Sequence, residues 1–170
     1  MTFQEFNQLA GAIGSLASVF ALAIGGYWAY WRFIRQREGR PHVQFSADIV
    51  FIRKQGEWWI VEFVAWVENK GKVQHLIKDF YFDVRALLVE DAVEVSDDFR
   101  GQVFFPHRIA EGSWMPEGMN ETFIDPDVKT HYSYIARVHE SATVLLMHTW
   151  FKWADENAQH SAEKTVNVPS

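Results

Sequence analysis

The sequence predicts a single N-terminal transmembrane α-helix followed by an all-β antiparallel sandwich. Three observations carry that prediction. An uncharged apolar run extends from Leu9 to Trp31; apolar and polar side chains then alternate with period two in segments between Pro41 and Trp153; and turn signals cut those segments into seven or eight short runs with no usable helical period. The predicted organisation is a short extracytoplasmic N-terminus at 1–8, a transmembrane helix at 9–31, a basic juxtamembrane linker at 32–40, a sandwich at 41–153 and a flexible tail at 154–170.

The run LAGAIGSLASVFALAIGGYWAYW is long enough, as a helix, to cross roughly 30 Å of hydrocarbon. It lacks the positive start and small-residue end of a cleaved signal peptide, because Glu5 precedes it and Tyr27, Trp28, Tyr30 and Trp31 close it. Arg32, Arg35, Arg37 and Arg40 follow at once, which by the positive-inside rule places the C-terminal domain in the cytoplasm and makes these arginines candidate lipid-headgroup contacts. Ala17, Ala21, Gly25 and Ala29 recur every four residues, and Ala10, Gly14 and Ser18 form a second row. Residues four apart share a helix face, so the rows form a candidate helix–helix interface for a homo-oligomer or a membrane partner. No charge lies in either row, so a pore built from this helix is not expected.

Beyond Pro41, Val43, Phe45, Ala47, Ile49 and Phe51 alternate with more polar residues, the pattern of a strand with one buried face. A turn at Gln55, Gly56 and Glu57 leads to WWIVEFVAWVEN, where Trp59, Val61, Phe63, Ala65 and Val67 face the core. Trp58, Ile60, Val64 and Trp66 make the opposite face partly apolar too, which predicts a central strand or one covered by another surface. Asn69, Lys70, Gly71 and Lys72 signal the next turn. A short strand and a long one follow in 73–90, with Phe80, Phe82 and Val84 as the apolar stripe. A weaker strand is expected at Gln102–Phe105 and a brief edge pairing at Glu121–Ile124, around a loop punctuated by Pro116, Gly118 and Pro126. Two final strands are predicted at Thr130–Val138 and Thr143–Trp153.

The domain from Pro41 onward carries 12 Lys and Arg against 20 Asp and Glu, whereas residues 1–40 carry 4 against 2. An acidic domain with no zinc-finger pattern or glycine-rich phosphate loop does not suit nucleic acid. The seven histidines, at 42, 75, 107, 131, 139, 148 and 160, have no spacing that compels joint metal ligation. His107 and His131 near Asp125 or Asp127 are the one conceivable convergence. There is no cysteine, and the serines lack a nucleophile-elbow context. Asp97 with Asp98, and Asp79 with Asp83, are carboxylate pairs of the kind that sandwich surfaces carry without catalysis. The sequence therefore predicts neither an enzyme nor a cofactor.

The best recognition residues lie in HRIAEGSWMPEGMNETF. Trp114 and Met115 occupy a segment where sheet periodicity does not require a large apolar side chain, with Arg108 and Glu111 at the rim. Either they are exposed contact anchors, or Trp114 folds back to cap the sandwich. Trp58 and Trp66 pose the same choice and complete the candidate partner-binding set. A strand followed by ENKG and another hydrophobic strand resembles immunoglobulin-like sandwich modules of bacterial envelope and adaptor proteins, in architecture and one turn only. The expected function is a membrane-anchored, non-catalytic module for protein interaction or assembly, possessing a lipid-facing helix and a membrane or cytoplasmic protein partner. The competing classes are a small-molecule-gated membrane effector and, with reversed orientation, a periplasmic accessory or binding module.

Overall fold

The computed structural model describes residues 3–32, 41–96, 101–154 and 158–169, with side chains from residue 14 onward. It divides into two compact units, Met1–Arg40 and Pro41–Ser170. The first contains α1 (Phe3–Tyr30). The second contains β1 (Val43–Gln55), β2 (Trp58–Asn69), β3 (His75–Leu88), β4 (His107–Ser113), β5 (Glu121–Ile124), β6 (Lys129–His139), β7 (Ala142–Trp153) and β8 (Gln159–Asn167).

The predicted fold class requires correction at its N-terminus. Among the described residues no helix is long and apolar enough to cross a membrane. Of the predicted 9–31 span, the side chains before Gly14 lie outside the description. From Gly25 the sequence reads Gly-Gly-Tyr-Trp-Ala-Tyr-Trp, glycines and amphipathic rings that contribute little hydropathy and leave a short apolar core around Leu16 to Ile24. The transmembrane helix, the single-pass cell-membrane placement, the cytoplasmic orientation of the C-terminal domain and the lipid-headgroup role of the arginines all rested on that span and lose their support with it. Arg32 instead lies over the ring of Trp28 at 4.9 Å. Arg35, Arg37 and Arg40, with the rest of the predicted linker after Arg32, lie outside the described residues.

The second unit consists of antiparallel sheets. One has the order β1-β2-β6; the other has the order β4-β3-β7-β8, with β5 also paired to β3. Alternation along β2 explains its central place: Val61, Phe63, Ala65 and Val67 are fully buried on the inward face. Phe80, Phe82 and Val84 of β3 and Leu145, Met147 and Phe151 of β7 meet them from the other sheet. Ring contacts join the two layers, with Phe45 at 5.0 Å from Phe151, Tyr132 at 5.0 Å from Phe80 and Tyr134 at 5.0 Å from Phe82. Each fully buried aromatic or aliphatic side chain contributes about 1.5–3 kcal/mol by leaving water.

Several segments differ from the sequence reading. The short strand and long one expected in 73–90 are the single strand β3, with a register shift between Lys78 and Tyr81, and the 107–113 part of the expected recognition loop is strand β4. The 154–170 region, read as a flexible tail, holds β8, which pairs with β7 from Val144↔Asn167 to Lys152↔Gln159. Its inward positions are His160, Ala162, Lys164 and Val166, too small or polar to give an apolar stripe, but His160 stacks on Phe151 at 5.5 Å. The strand predicted at Gln102–Phe105 is only an isolated bridge between Val103 and Val95, and the edge strand begins at His107. Within β4 the close approach of the Phe82 ring explains the glycine at 112, where a Cβ would stand 3.3 Å from two of its carbons.

Candidate functional site

The outward face of the β1-β2-β6 sheet gathers the strongest surface chemistry. On β2 the positions that alternate with the core-facing ones are Trp58, Ile60, Glu62, Val64, Trp66 and Glu68, of which Val64 is itself buried. Antiparallel register sets Trp58 opposite His139, Glu62 opposite Ile135 and Trp66 opposite His131 on β6. Directly opposed side chains lie within contact distance, and those two residues along remain in reach of long side chains. Trp58 accordingly has His139 at 4.9 Å and the Arg137 guanidinium over its ring at 4.4 Å. Trp66 repeats the arrangement, with His131 at 4.8 Å and the Lys129 ammonium at 4.6 Å.

The two clamps are eight positions apart on β2, about 26 Å along an extended strand. Between them lie Ile60, half-buried, and Val64, buried, while the exposed apolar side chains are Ile135 of β6 at 62% and Val50 of β1 at 41%. Each indole carries a cation over its face; Trp58 is 37% exposed and Trp66 is half-buried. Glu62 at the centre and Lys129 and Arg137 at the ends give the stripe a polar frame.

The other predicted recognition residues lie elsewhere. Trp114 and Met115 are 8% and 6% exposed and belong to the core. The Trp114 indole N–H donates to Thr149 Oγ1 at 2.8 Å, and that hydroxyl donates to the Tyr81 carbonyl at 2.9 Å. Trp114 thus takes the folded-back position, with its ring 4.5 Å from Phe82. Arg108 and Glu111 form an ion pair at 2.8 Å on β4, and Arg108 also reaches Asp83 at 3.0 Å. They share a strand with neither tryptophan of the sheet face.

In α1, Gly14, Ala17, Ser18, Ala21 and Gly25 are exposed, and a Cβ on Gly14 or Gly25 would meet open space. Ser18 turns its hydroxyl back to the Gly14 carbonyl at 2.9 Å, and Ala29 is half-buried. The side chain of Ala10 lies outside the described residues, as do Asp97 and Asp98.

The proposed histidine convergence does not form. His107 contacts Asp91 at 3.0 Å, Asp125 accepts from the Gln74 amide, and His131 lies on Trp66. No group of three or more His, Cys, Asp or Glu among the described residues is placed to hold a metal ion. Asp91 Oδ2 accepts the Leu88 N–H at 2.6 Å; that bond first, and His107 second, hold its pKa below the usual carboxylate range. Lys54, 2.8 Å from Glu140, lowers that carboxyl in the same sense.

Of two further concavities, the first meets the sheet face at its Trp58 end, where Trp58, Arg137 and His139 all line it, and the second lies on the other sheet. The first, of about 550 Å³, runs along the seam between β4 and β6, lined by Leu88, His107, Arg108, Ile109, Tyr134 and Arg137 among others. The second, of about 520 Å³, has Arg85, Gln102 and His148 on its wall together with Asp83 and Glu163.

No protein-family model and no curated protein matches the chain. Among solved structures, a protein named ApaA from Bordetella pertussis is similar at 9% identity and TM-score 0.46, covering 76% of this chain and 95% of its own. A structural-genomics target, SoR45, is similar at 10% identity and TM-score 0.44, with 74% and 84% covered. A protein from Archaeoglobus fulgidus is similar at 10% identity and TM-score 0.36, with 75% and 98% covered. Likeness at these scores carries no functional argument.

Proposed function

We propose that the protein is a non-catalytic interaction and assembly module that binds a protein partner on the outward face of the β1-β2-β6 sheet. One observation carries this reading: Trp58 and Trp66 stand at either end of an apolar stripe, each held by a cation and a histidine, with Ile135 62% exposed between them. Interfaces concentrate their binding free energy in a few aromatic anchors with apolar neighbours and a polar rim, and this face supplies all three. Native mass spectrometry of the full-length protein, purified at its natural expression level, tests the reading. A stoichiometric complex is expected, and Ile135→Asp should weaken it at least about tenfold with the thermal midpoint unchanged. A monomeric wild-type mass, or a complex indifferent to Ile135→Asp, would overturn it.

A small-ligand receptor is the second reading, favoured by the donors Arg85, Gln102 and His148 around the 520 Å³ cavity. In the same spectrum it requires a stoichiometric low-mass adduct that is lost in Arg85→Ala.

A further inference from the structure

The two seams of the sandwich are built differently. Along β1 and β8 the sheets are stitched by side chains: Lys164 approaches Asp48 at 3.5 Å and Phe45 meets His160 at 5.9 Å. Along β4 and β6, among the described residues, no ion pair or ring contact runs from one edge strand to the other; there the layers are joined one strand further in, by Tyr132 and Tyr134 of β6 against Phe80 and Phe82 of β3. Strand β4 pairs only with β3, and β6 only with β2, so each presents an unpaired backbone edge to the seam among the described residues. The two edges stand more than 8 Å apart between Cα atoms over most of their length. Two strands that flank a third lie about 9.6 Å apart, so a gap of this kind is what an inserted strand requires.

The lining points to the chemistry of the occupant. The floor is apolar, from Leu88, Ile109, Ala110 and Ala136, and the walls carry Arg108, Arg137, His107 and His139 with no carboxylate among the lining residues. These side chains lie in a domain whose overall charge is strongly negative, and carboxylates just outside the lining offset most of them. Arg108 and His107 are compensated by Asp83, Glu111 and Asp91, and His139 lies 3.7 Å from Glu57. Arg137 has no carboxylate partner among the described residues; it lies on the Trp58 ring, with its charge at the groove mouth.

We propose that the open β4/β6 seam binds an extended acidic segment of a partner polypeptide, which enters as an additional strand between the two sheets. Main-chain hydrogen bonds to the free edges supply affinity, alternate apolar side chains settle on the Ile109 and Ala136 floor, and intervening carboxylates meet Arg137. This goes beyond the sheet-face reading because it rests on the strand edges; the two surfaces share Trp58, Arg137 and His139, and Ile135, which is not among the groove residues, tells them apart.

The test uses the full-length protein and a fluorescein-labelled peptide of alternating valine and glutamate, with its valine–lysine counterpart as control. Saturable binding of the acidic peptide is expected, with Arg137→Glu weakening it at least about tenfold, Arg137→Lys retaining most of it and Ile135→Asp leaving it unchanged. Amide hydrogen exchange supplies a readout that simple charge attraction does not move: edge amides of both β4 and β6 should become protected, and those of β1 and β8 should not. Absence of saturable binding, equal binding of the lysine peptide, or protection confined to any other strand would each overturn the proposal.

Discussion

Asn69 shows how much a single buried polar side chain holds in place. It is fully buried at the end of β2, and its amide donates to the Val73 carbonyl at 2.8 Å and the Ile124 carbonyl at 3.0 Å, while its Oδ1 accepts the Gly71 N–H at 2.9 Å. Those bonds tie the 69–73 turn to β5. Asn69→Ala leaves three backbone groups without a partner and should cost about 2–4 kcal/mol in urea unfolding, with an unchanged m-value. The sequence marks Asn69 as a turn residue but not as the tie to Ile124, because that partner lies 55 positions away. Asp91 acts through charge instead. Its folded pKa is depressed, by the Leu88 N–H first and by His107 second, so the unfolded carboxylate takes up its proton first as pH falls. The stabilisation is complete above about pH 4 and is lost as pH falls through the depressed folded value. Asp91→Asn should therefore flatten the acid limb of the urea midpoint plotted against pH, and an unaltered limb would refute the assignment.

At the level of elements, legibility followed the inward side chains. Strands β2 and β7 announce themselves through Val61, Phe63, Ala65 and Val67 and through Leu145, Met147 and Phe151, all buried and all two residues apart or in multiples of two. Strand β8 carries His160, Ala162, Lys164 and Val166 at the corresponding positions, and its place comes from backbone pairing to β7, which leaves no mark in hydropathy. The Trp58 and Trp66 clamps are half legible: the tryptophans stand out in the sequence, whereas Lys129, His131, Arg137 and His139 acquire meaning only through the β2/β6 register. The N-terminal segment erred in the opposite direction: among the described residues no helix is long and apolar enough to cross a membrane, glycine and amphipathic aromatics filling the run after Ile24. If β8 is integral to the sheet, truncation after Ala154 uncovers the β7 edge and removes the His160 stack on Phe151, and should lower stability by about 3 kcal/mol or more. A dispensable tail would leave the urea midpoint where it was.

For the β unit taken as a whole, the proposed strand groove would put binding at one seam and leave stability to the other. The closed seam holds Phe45, which touches Phe80 at 5.8 Å and Phe151 at 5.0 Å across the layers, alongside the surface pair of Lys164 and Asp48. An exposed ion pair of that length is screened and contributes little, whereas an aromatic ring between two sheets leaves a cavity when removed. Phe45→Ala should therefore cost about 2–4 kcal/mol, and Asp48→Asn no more than about 0.5 kcal/mol, both read from urea midpoints. The open seam should respond in the reverse sense. Arg137 stacks on a half-exposed indole and supports no part of the core, so its replacement by glutamate should leave the midpoint within about 0.5 kcal/mol while altering what the groove accepts. Loss of stability in Arg137→Glu comparable to that of Phe45→Ala would make the β4/β6 edge a structural seam like its counterpart, and remove the physical basis for treating it as a groove held open for a strand.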